Sequence, residues 1–548
     1  MLGLMQSQPL LISSLIEFAE RHHGDAEIVS RRVEGDLHRY TYRDLAVRAR
    51  QLANALDAMQ LQFSDRVATL AWNGYRHMEM YFGVSGSGRV LHTVNPRLHP
   101  DQIAWIVNHA EDQVMCFDLT FLPLVQAVHA KCPTVKKWVA LCDPDKLPSD
   151  SGIPGLTSYE AWIGAQSADY AWPQFDENTA SSMCYTSGTT GNPKAALYSH
   201  RSTTLHAYAA ALPDVMCLSA RDAVLPVVPM FHVNAWGMPF AATWYGAGQV
   251  YGGPAPTPAD YLRLIRDEGV TVSAGVPTVW LGILQLLESD GGDLGSLRRI
   301  VCGGSAAPVS MIRAYEERHG VEFVHAYGMT EATPVTHFSR LKSTMADLPV
   351  EARYGYKAKQ GLLVPGLEQR VVDADGDEVP ADGKSMGELL LRGPTIASEY
   401  LDDERSAQTF VDGWYHTGDV ATLDGEGYLH LVDRTKDLVK SGGEWISSVE
   451  LENALMGHPE VAQAAVIAVP DERWGERPLA VVVRKPGSEV GEAEVVASVA
   501  GKFPKWWLPE RVEFVDEIPM TATGKFSKRL LRERFVSRLH EEEGSDER

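Results

Sequence analysis

Short β-rich runs alternate with amphipathic helical runs along most of this chain, and that alternation restricts the fold to layered α/β architecture. Arg66–Leu70, Val114–Phe117, Trp138–Leu141 and Val270–Ser273 are apolar, β-branched runs of strand length. Residues 10–22 and 42–56 instead repeat their apolar positions at helical spacing. Strands separated by helices predict largely parallel sheets. At 548 residues the chain exceeds one ordinary core, and about three to four packed units are expected. From Val371 to Tyr428 the pattern turns β-rich, with turn signals at Asp373–Gly376, Asp412–Gly413 and Asp424–Gly427. A boundary is expected at Asp433–Asp437, dividing residues 1–433 from 434–548. Beyond it, the runs Ala464–Ala468 and Leu479–Val483 predict a separate small α+β domain. The acidic tail Glu541–Arg548 reads as frayed and solvated.

Composition narrows the function classes. A chain 45% hydrophobic and 22% charged is that of a soluble globular protein. Its net charge of −22 argues against non-specific binding to nucleic acid or to an anionic membrane. The six cysteines show no CxxC pair and no histidine at metal-ligand spacing, so reduced thiols in a cytoplasmic protein are expected. The N-terminus has no basic leader, and no apolar run reaches the length of a membrane span.

The chemistry concentrates in ordered motifs. Tyr185-Thr-Ser-Gly-Thr-Thr-Gly-Asn-Pro-Lys194 combines glycines, hydroxyls and a closing lysine, the composition of a loop that holds phosphate. It is not a Walker A loop, because Ala195–Ser199 after it reads as a strand rather than a helix. In Pro229-Met-Phe-His-Val-Asn-Ala-Trp236, His232 and Trp236 are four apart and would share one face of a helical turn; a buried helix start is the plainer reading. Cys302-Gly-Gly-Ser-Ala-Ala-Pro308 gathers small residues after an apolar strand, which lets a flat ligand approach the backbone, though a plain turn explains it as well. Tyr327-Gly-Met-Thr-Glu331 offers a stacking ring, a hydroxyl for phosphate and a carboxylate for magnesium. Asp419 ends Trp414-Tyr-His-Thr-Gly-Asp419 and suits a ribose diol. Asp433–Trp445 sets cations beside a glycine hairpin, and Pro519–Lys525 presents a lysine on a glycine-containing loop.

Taken in order, these motifs resemble the adenylate-forming superfamily of acyl-CoA synthetases, adenylation domains and firefly luciferase, over about residues 15 to 535. Pro229–Trp236, Val276–Trp280 and Ser441–Ser447 look most like bacterial medium- and long-chain fatty acyl-CoA synthetases and the related 3-(methylthio)propanoate ligases. The resemblance implies a large N-terminal AMP-binding domain of layered α/β subdomains with a β-rich section, and a small mobile C-terminal domain. It also implies two half-reactions: carboxylate and ATP give acyl-AMP and diphosphate, then CoA displaces AMP.

By the same resemblance, Thr186, Ser187, Gly188, Thr189, Thr190, Gly191 and Lys194 hold the β- and γ-phosphates, and Thr186 and Glu331 bind Mg²⁺. Tyr327 lies on adenine, with backbone at Gly304 and Ala326 against its edge, and Thr330 meets the α-phosphate. Asp419 and Arg434 take the ribose hydroxyls. Lys525 reaches in from the small domain as an electrostatic catalyst, binding both the carboxylate and the α-phosphate. The hinge falls at Lys436, whose swing withdraws Lys525 and brings Lys440, Gly442, Gly443, Glu444 and Trp445 to the CoA step. The chain departs from the family pattern at Lys194-Ala195, where glycine is commoner; a position needing positive φ would cost alanine about 1 kcal/mol.

The acid is placed between His232, Val233, Trp236 and the Gly303-Gly304 strand end. In similar long-chain synthetases the tryptophan at the Trp236 position is a gate that moves when ATP binds. No aspartate in His232–Trp236 pairs with an amino group and no cation there meets a second carboxylate, so an apolar monocarboxylate is expected. Medium- or long-chain fatty acids lead; 3-(methylthio)propanoate or another short acid is the alternative, because each buried CH₂ contributes only about 0.8 kcal/mol and pocket depth decides. A luciferase-like oxygenase and a carrier-protein acyl-AMP ligase are the readings of another class, the latter disfavoured by the compact passage from Asp419 to Lys440. Similar synthetases are dimers through the large domain, so a homodimer is expected.

Overall fold

The computed structural model describes residues 1, 3–186, 192–434, 436–442, 444–471, 473–521 and 525–535. The tail expected to fray, Glu541–Arg548, lies outside the described residues.

Two large sheets form the body. The first has seven strands in the order Thr157–Ser158, Lys137–Ala140, Val114–Phe117, Arg66–Leu70, Val90–Thr93, Ala180–Thr186 and Lys194–Ser199. All neighbours in it run parallel except the last pair. The second has nine strands, parallel from Glu27–Arg31 through Gly248–Tyr251, Ala223–Pro226, Val272–Gly275 and Arg299–Gly303 to Glu322–Gly328, with antiparallel strands at both edges. The expected strand 270–273 begins two residues late, because Val270 N–H still closes the preceding helix on Ile265 O at 3.1 Å.

One apolar core lies between the sheets, with Val67, Leu91 and Val114 from the first and Val224, Val272 and Val301 from the second. Separate cores cover their outer faces. The helix Tyr75–Gly86 lies inside the shared core and is buried on every side. It nevertheless carries Arg76 and Glu79, and a buried charge persists only when paired. Glu79 takes Arg48 at 2.6 Å and the Tyr159 hydroxyl at 2.9 Å. Arg76 pairs with Glu34, Asp143 and Glu160 at 2.6–2.8 Å.

The β-rich section forms an antiparallel sheet of Glu368–Val372, Gly387–Arg392, Phe410–Val411, Trp414–Leu423 and Leu429–Arg434. The C-terminal unit has its own sheet, built on the antiparallel pair Val461–Asp471 and Gly475–Arg484, with the helices Ser448–Leu455 and Glu492–Val499 over its core. This is the layered α/β body with a small α+β appendage that the alternation predicts.

Arg76→Ala leaves three carboxylates around an empty, mostly buried position and is expected to destabilise the large unit by about 3–5 kcal/mol. Arg392→Ala, which removes an exposed partner of Glu368, is expected to cost about 0–1 kcal/mol. Urea denaturation of the two variants checks the contrast.

Candidate active site

Strands Ala180–Thr186 of the first sheet and Arg299–Gly303 and Glu322–Gly328 of the second carry motif residues at their carboxyl ends, the place where open α/β sheets bind ligands. Ala180–Thr186 runs into the expected phosphate loop and Lys194–Ser199 runs out of it, with Thr186 and Lys194 opposite each other in antiparallel register. Ser187, Gly188, Thr189, Thr190 and Gly191 lie outside the described residues. Ala195 is fully buried and extended, paired with Tyr185. It needs no positive φ, and the expected cost of replacing glycine there does not arise.

The Lys194 ammonium stands 4.5 Å from the centre of the Tyr400 ring. Burial, and then nearby Arg405, hold its pKa below the ordinary lysine value. The Tyr400 hydroxyl donates to Glu331 Oε1 at 2.6 Å. Glu331 sits in the short turn Thr330–Ala332, which is fixed by Tyr198 OH donating to Thr330 O at 2.7 Å and Ala397 N–H donating to Glu331 O at 2.7 Å. Strand Ala180–Thr186 packs on the same turn. Lysine, tyrosine and glutamate thus form one chain leading from the phosphate loop to the expected metal carboxylate.

Tyr327 stands near the end of strand Glu322–Gly328, and its hydroxyl donates to Asp419 Oδ2 at 2.5 Å. Asp419 faces Arg434 across neighbouring strands and meets its Nε at 3.1 Å. Burial, with the Asp419 carboxylate second, raises the Tyr327 pKa. The residues expected at base and ribose therefore form one hydrogen-bonded group.

On the acid side, Gly303 pairs with Ala326, and a Cβ on Gly303 would lie 2.6 Å from Ala326 O and 3.3 Å from the Trp236 ring. Gly304 has φ +87°, which favours glycine, and a Cβ there would sit 3.5 Å from Lys525 Cε. His232 is neutral, its pKa pushed down to about 3 by burial first and by the Lys525 charge second.

The segment before it is fastened from the other sheet. Asn73 donates to Pro226 O and Val228 O, each at 2.9 Å, and accepts from Met230 N–H at 2.6 Å. Tyr81 OH donates to Met230 O at 2.6 Å, and Thr93 OH donates to Phe231 O at 3.2 Å. Val233, Asn234, Ala235 and Trp236 then take φ of 41°, 52°, 50° and 56°. The turn expected to put His232 and Trp236 on one ordinary helical face is therefore left-handed. Such backbone costs about 1–2 kcal/mol per non-glycine residue. Asn234, the side chain most tolerant of it, donates from Nδ2 to Ser182 Oγ at 2.8 Å.

Lys525 arrives from the C-terminal unit on a turn in which Thr521 N–H donates to Lys525 O at 2.6 Å. Its pKa is held down to about 8, by burial first and Arg434 second, while Asp419 and Glu331 oppose the shift. Its charge also reaches His232. Lys436 is exposed in the connecting segment.

Lys440, Gly442, Glu444 and Trp445 are not at this place. They belong to a hairpin in which Lys440, Gly442 and Trp445 are exposed, the Lys440 ammonium stands 5.3 Å from the Trp445 ring centre and Gly442 N–H bonds Trp474 O at 2.7 Å. Gly443 lies outside the described residues. Sequence reasoning missed Tyr400, Tyr198 and Asn73. Asn73 stands in a Trp-Asn-Gly turn before a helix, a weak local signal; Tyr400 has none, being 69 positions from the glutamate it bonds.

The comparisons agree with this geometry. The family model for AMP-binding enzymes matches residues 15–401, and that for the AMP-binding enzyme C-terminal domain matches residues 450–525. The chain belongs to the AMP-binding enzyme family. It is 48% identical over 98% of its length to the whole of a 3-methylmercaptopropionyl-CoA ligase from Ruegeria lacuscaerulensis. It is 47% identical over 98% of its length to 98% of a medium-chain-fatty-acid–CoA ligase from Ectopseudomonas oleovorans. The crystal structure of an anthranilate CoA ligase in complex with anthranoyl-AMP superposes with a TM-score of 0.86 at 27% identity, over 97% of this chain and 99% of that one.

Because Ala195 is extended and buried, Ala195→Gly is expected to lower stability by about 1 kcal/mol and to bring no gain in turnover. Thermal unfolding and steady-state kinetics of the variant check this.

Proposed function

We infer that this enzyme is an AMP-forming acid–CoA ligase, in which acid and ATP give an acyl-adenylate and diphosphate and CoA then displaces AMP. The observation that carries the reading is the seat of Lys525, beside Gly304 and within electrostatic reach of His232, Arg434, Asp419 and Glu331. Joining two anions needs fixed positive charge in a site that sheds water. The proposed roles follow the resemblance. Lys525 holds the acid carboxylate and the α-phosphate together, with Thr330 on the same phosphate. Lys194 and the loop from Thr186 to Gly191 hold the outer phosphates. Asp419 and Arg434 hold the ribose, and Tyr327 with the Gly304 and Ala326 backbone holds the base.

The hard oxygens of Glu331 and Thr186 fit Mg²⁺, which would offset phosphate charge there. The Tyr400 phenol keeps the Glu331 carboxylate aimed.

The small unit is proposed to begin at residue 434 and to turn about Lys436. With Lys525 inserted and Lys440, Gly442 and Trp445 exposed, this conformation corresponds to the first half-reaction. The second would bring Lys440, Gly442, Gly443, Glu444 and Trp445 to the adenylate. A cytoplasmic homodimer completes the proposal; the six free thiols, five of them buried, suit a reducing compartment.

For the acid, medium- or long-chain fatty acids are proposed, because His232 is neutral and Val233, Ala235, Trp236 and Met238 line an apolar cluster. One observation favours the short alternative: the Trp236 ring lies against Gly303, 3.3 Å from where a Cβ on that glycine would stand. CoA-dependent AMP release over propanoate, 3-(methylthio)propanoate, hexanoate, octanoate, dodecanoate and hexadecanoate tests the choice. A kcat/KM rising past octanoate is expected if Trp236 yields; a peak at the short thioether or at C4–C6 acids assigns the short class instead.

Lys525→Ala is expected to abolish adenylation while leaving CoA transfer from supplied acyl-AMP largely intact. With the lysine pKa near 8 in the free protein, kcat/KM for adenylation should fall as pH rises through about 8, since deprotonation removes the required charge. Lys525→Arg should shift that fall to higher pH.

A further inference from the structure

The connection between the two units carries a buried polar cluster that none of the roles above uses. Asp433, near the end of strand Leu429–Arg434, is 5% exposed. Its Oδ2 accepts from Ser448 N–H at 2.8 Å and also from the Ser448 hydroxyl. The neighbouring Ser447 hydroxyl donates to Val432 O at 2.5 Å. Ser448 Oγ in turn accepts from Lys528 Nζ at 2.5 Å, and Lys528 pairs with Glu452 at 2.9 Å, both side chains largely buried. Glu452 is itself held by Val466 N–H at 2.7 Å, inside the small unit's sheet. One turn beyond Lys528, Arg532 pairs with Asp437 at 2.8 Å.

Two features give this cluster a direction. Val432 and Asp433 precede Lys436, whereas Ser447, Ser448, Glu452 and Lys528 follow it, so the bonds to Val432 and Asp433 span the hinge. A rotation of the small unit about Lys436 has to part them. Lys528 also stands at the root of the loop that bears Lys525, where Ser527 N–H bonds Pro519 O at 2.7 Å and closes it. Lys528 lies between two carboxylates, Glu452 directly and Asp433 through Ser448, and charge-assisted bonds in a buried cluster are strong and directional.

We propose that Asp433, Ser448 and Lys528 are positioning residues that clasp the small unit to the end of strand Leu429–Arg434 and so fix Lys525 for the acid-plus-ATP half-reaction. The inference rests on the reading of Lys525 as the adenylation group. The clasp touches neither substrate. It acts by holding the loop root, and an error of about 1 Å in a charged group's placement lowers a rate on the order of 100-fold.

Full-length Ser448→Ala, Lys528→Met and Lys528→Arg are compared with Lys525→Ala in two assays: acid-dependent ATP–diphosphate exchange, and CoA-dependent consumption of the acyl-adenylate of the fastest acid. Ser448→Ala and Lys528→Met should slow exchange about 10- to 100-fold and change transfer by less than about threefold. Lys528→Arg should recover most of the exchange rate. Equal losses in both assays, or unchanged exchange, overturn the clasp. Should Lys528→Met fail to fold, Ser448→Ala alone decides, since it removes one oxygen. If Lys525→Ala keeps full exchange, the reading of Lys525 falls; if it loses exchange while Ser448→Ala does not, only the clasp falls.

Discussion

Everything about this site depends on one buried helix with charges inside it. Tyr75–Gly86 lies between two largely parallel sheets, and its Arg76 and Glu79 persist there only because three carboxylates and a guanidinium from four other segments close around them. That network ties the helix to segments around both sheets. Asn73, just before the helix, carries the same constraint into the crevice by holding the backbone from Pro226 to Met230. The acid side of the site is thus placed by residues of the opposite sheet.

The crevice separates an apolar side from a charged one along a single strand end. Gly303 and Gly304 are adjacent, yet one faces Trp236 and the other faces Lys525. A side chain at the first would meet the backbone of the next strand, and the second has a φ that L-residues avoid. In the proposed function, this gap in side-chain bulk is where the acid carboxylate meets the α-phosphate, near a neutral His232 and a Lys525 whose pKa is already lowered. The charge of Lys525 is supplied by a different unit from the one that forms the pocket. A reaction with two anionic steps gains from that separation, since the same crevice can be given a second set of groups.

Much of this was legible in the residues. Arg66–Leu70 and Val114–Phe117 are strands with the expected bounds, because a β-branched run between turn residues has few alternatives. The order of motifs pointed to Lys525, Glu331, Tyr327 and Asp419, and the structure sets the Tyr327 hydroxyl on Asp419 and puts Asp419 and Glu331 within electrostatic reach of Lys525. The left-handed turn at Val233–Trp236 was not legible: local propensity opposes it for every residue but Asn234, which bonds Ser182, while Asn73, Tyr81 and Thr93 fasten the segment just before it. Tyr400 was equally silent, as nothing near it in sequence announces a partner in Glu331.

The sequence alone determined which groups are present, a glycine- and hydroxyl-rich loop closed by Lys194, the Glu331 and Asp419 carboxylates and the distant Lys525, together with the alternation that makes parallel sheets. Residue type and local periodicity carry that information without reference to neighbours in space. Only the tertiary structure decided where these groups meet, which of them face the crevice in one conformation, and that Trp236 lies against Gly303. Those outcomes depend on contacts between residues more than two hundred positions apart, and on the desolvation that such contacts impose on His232 and Lys525.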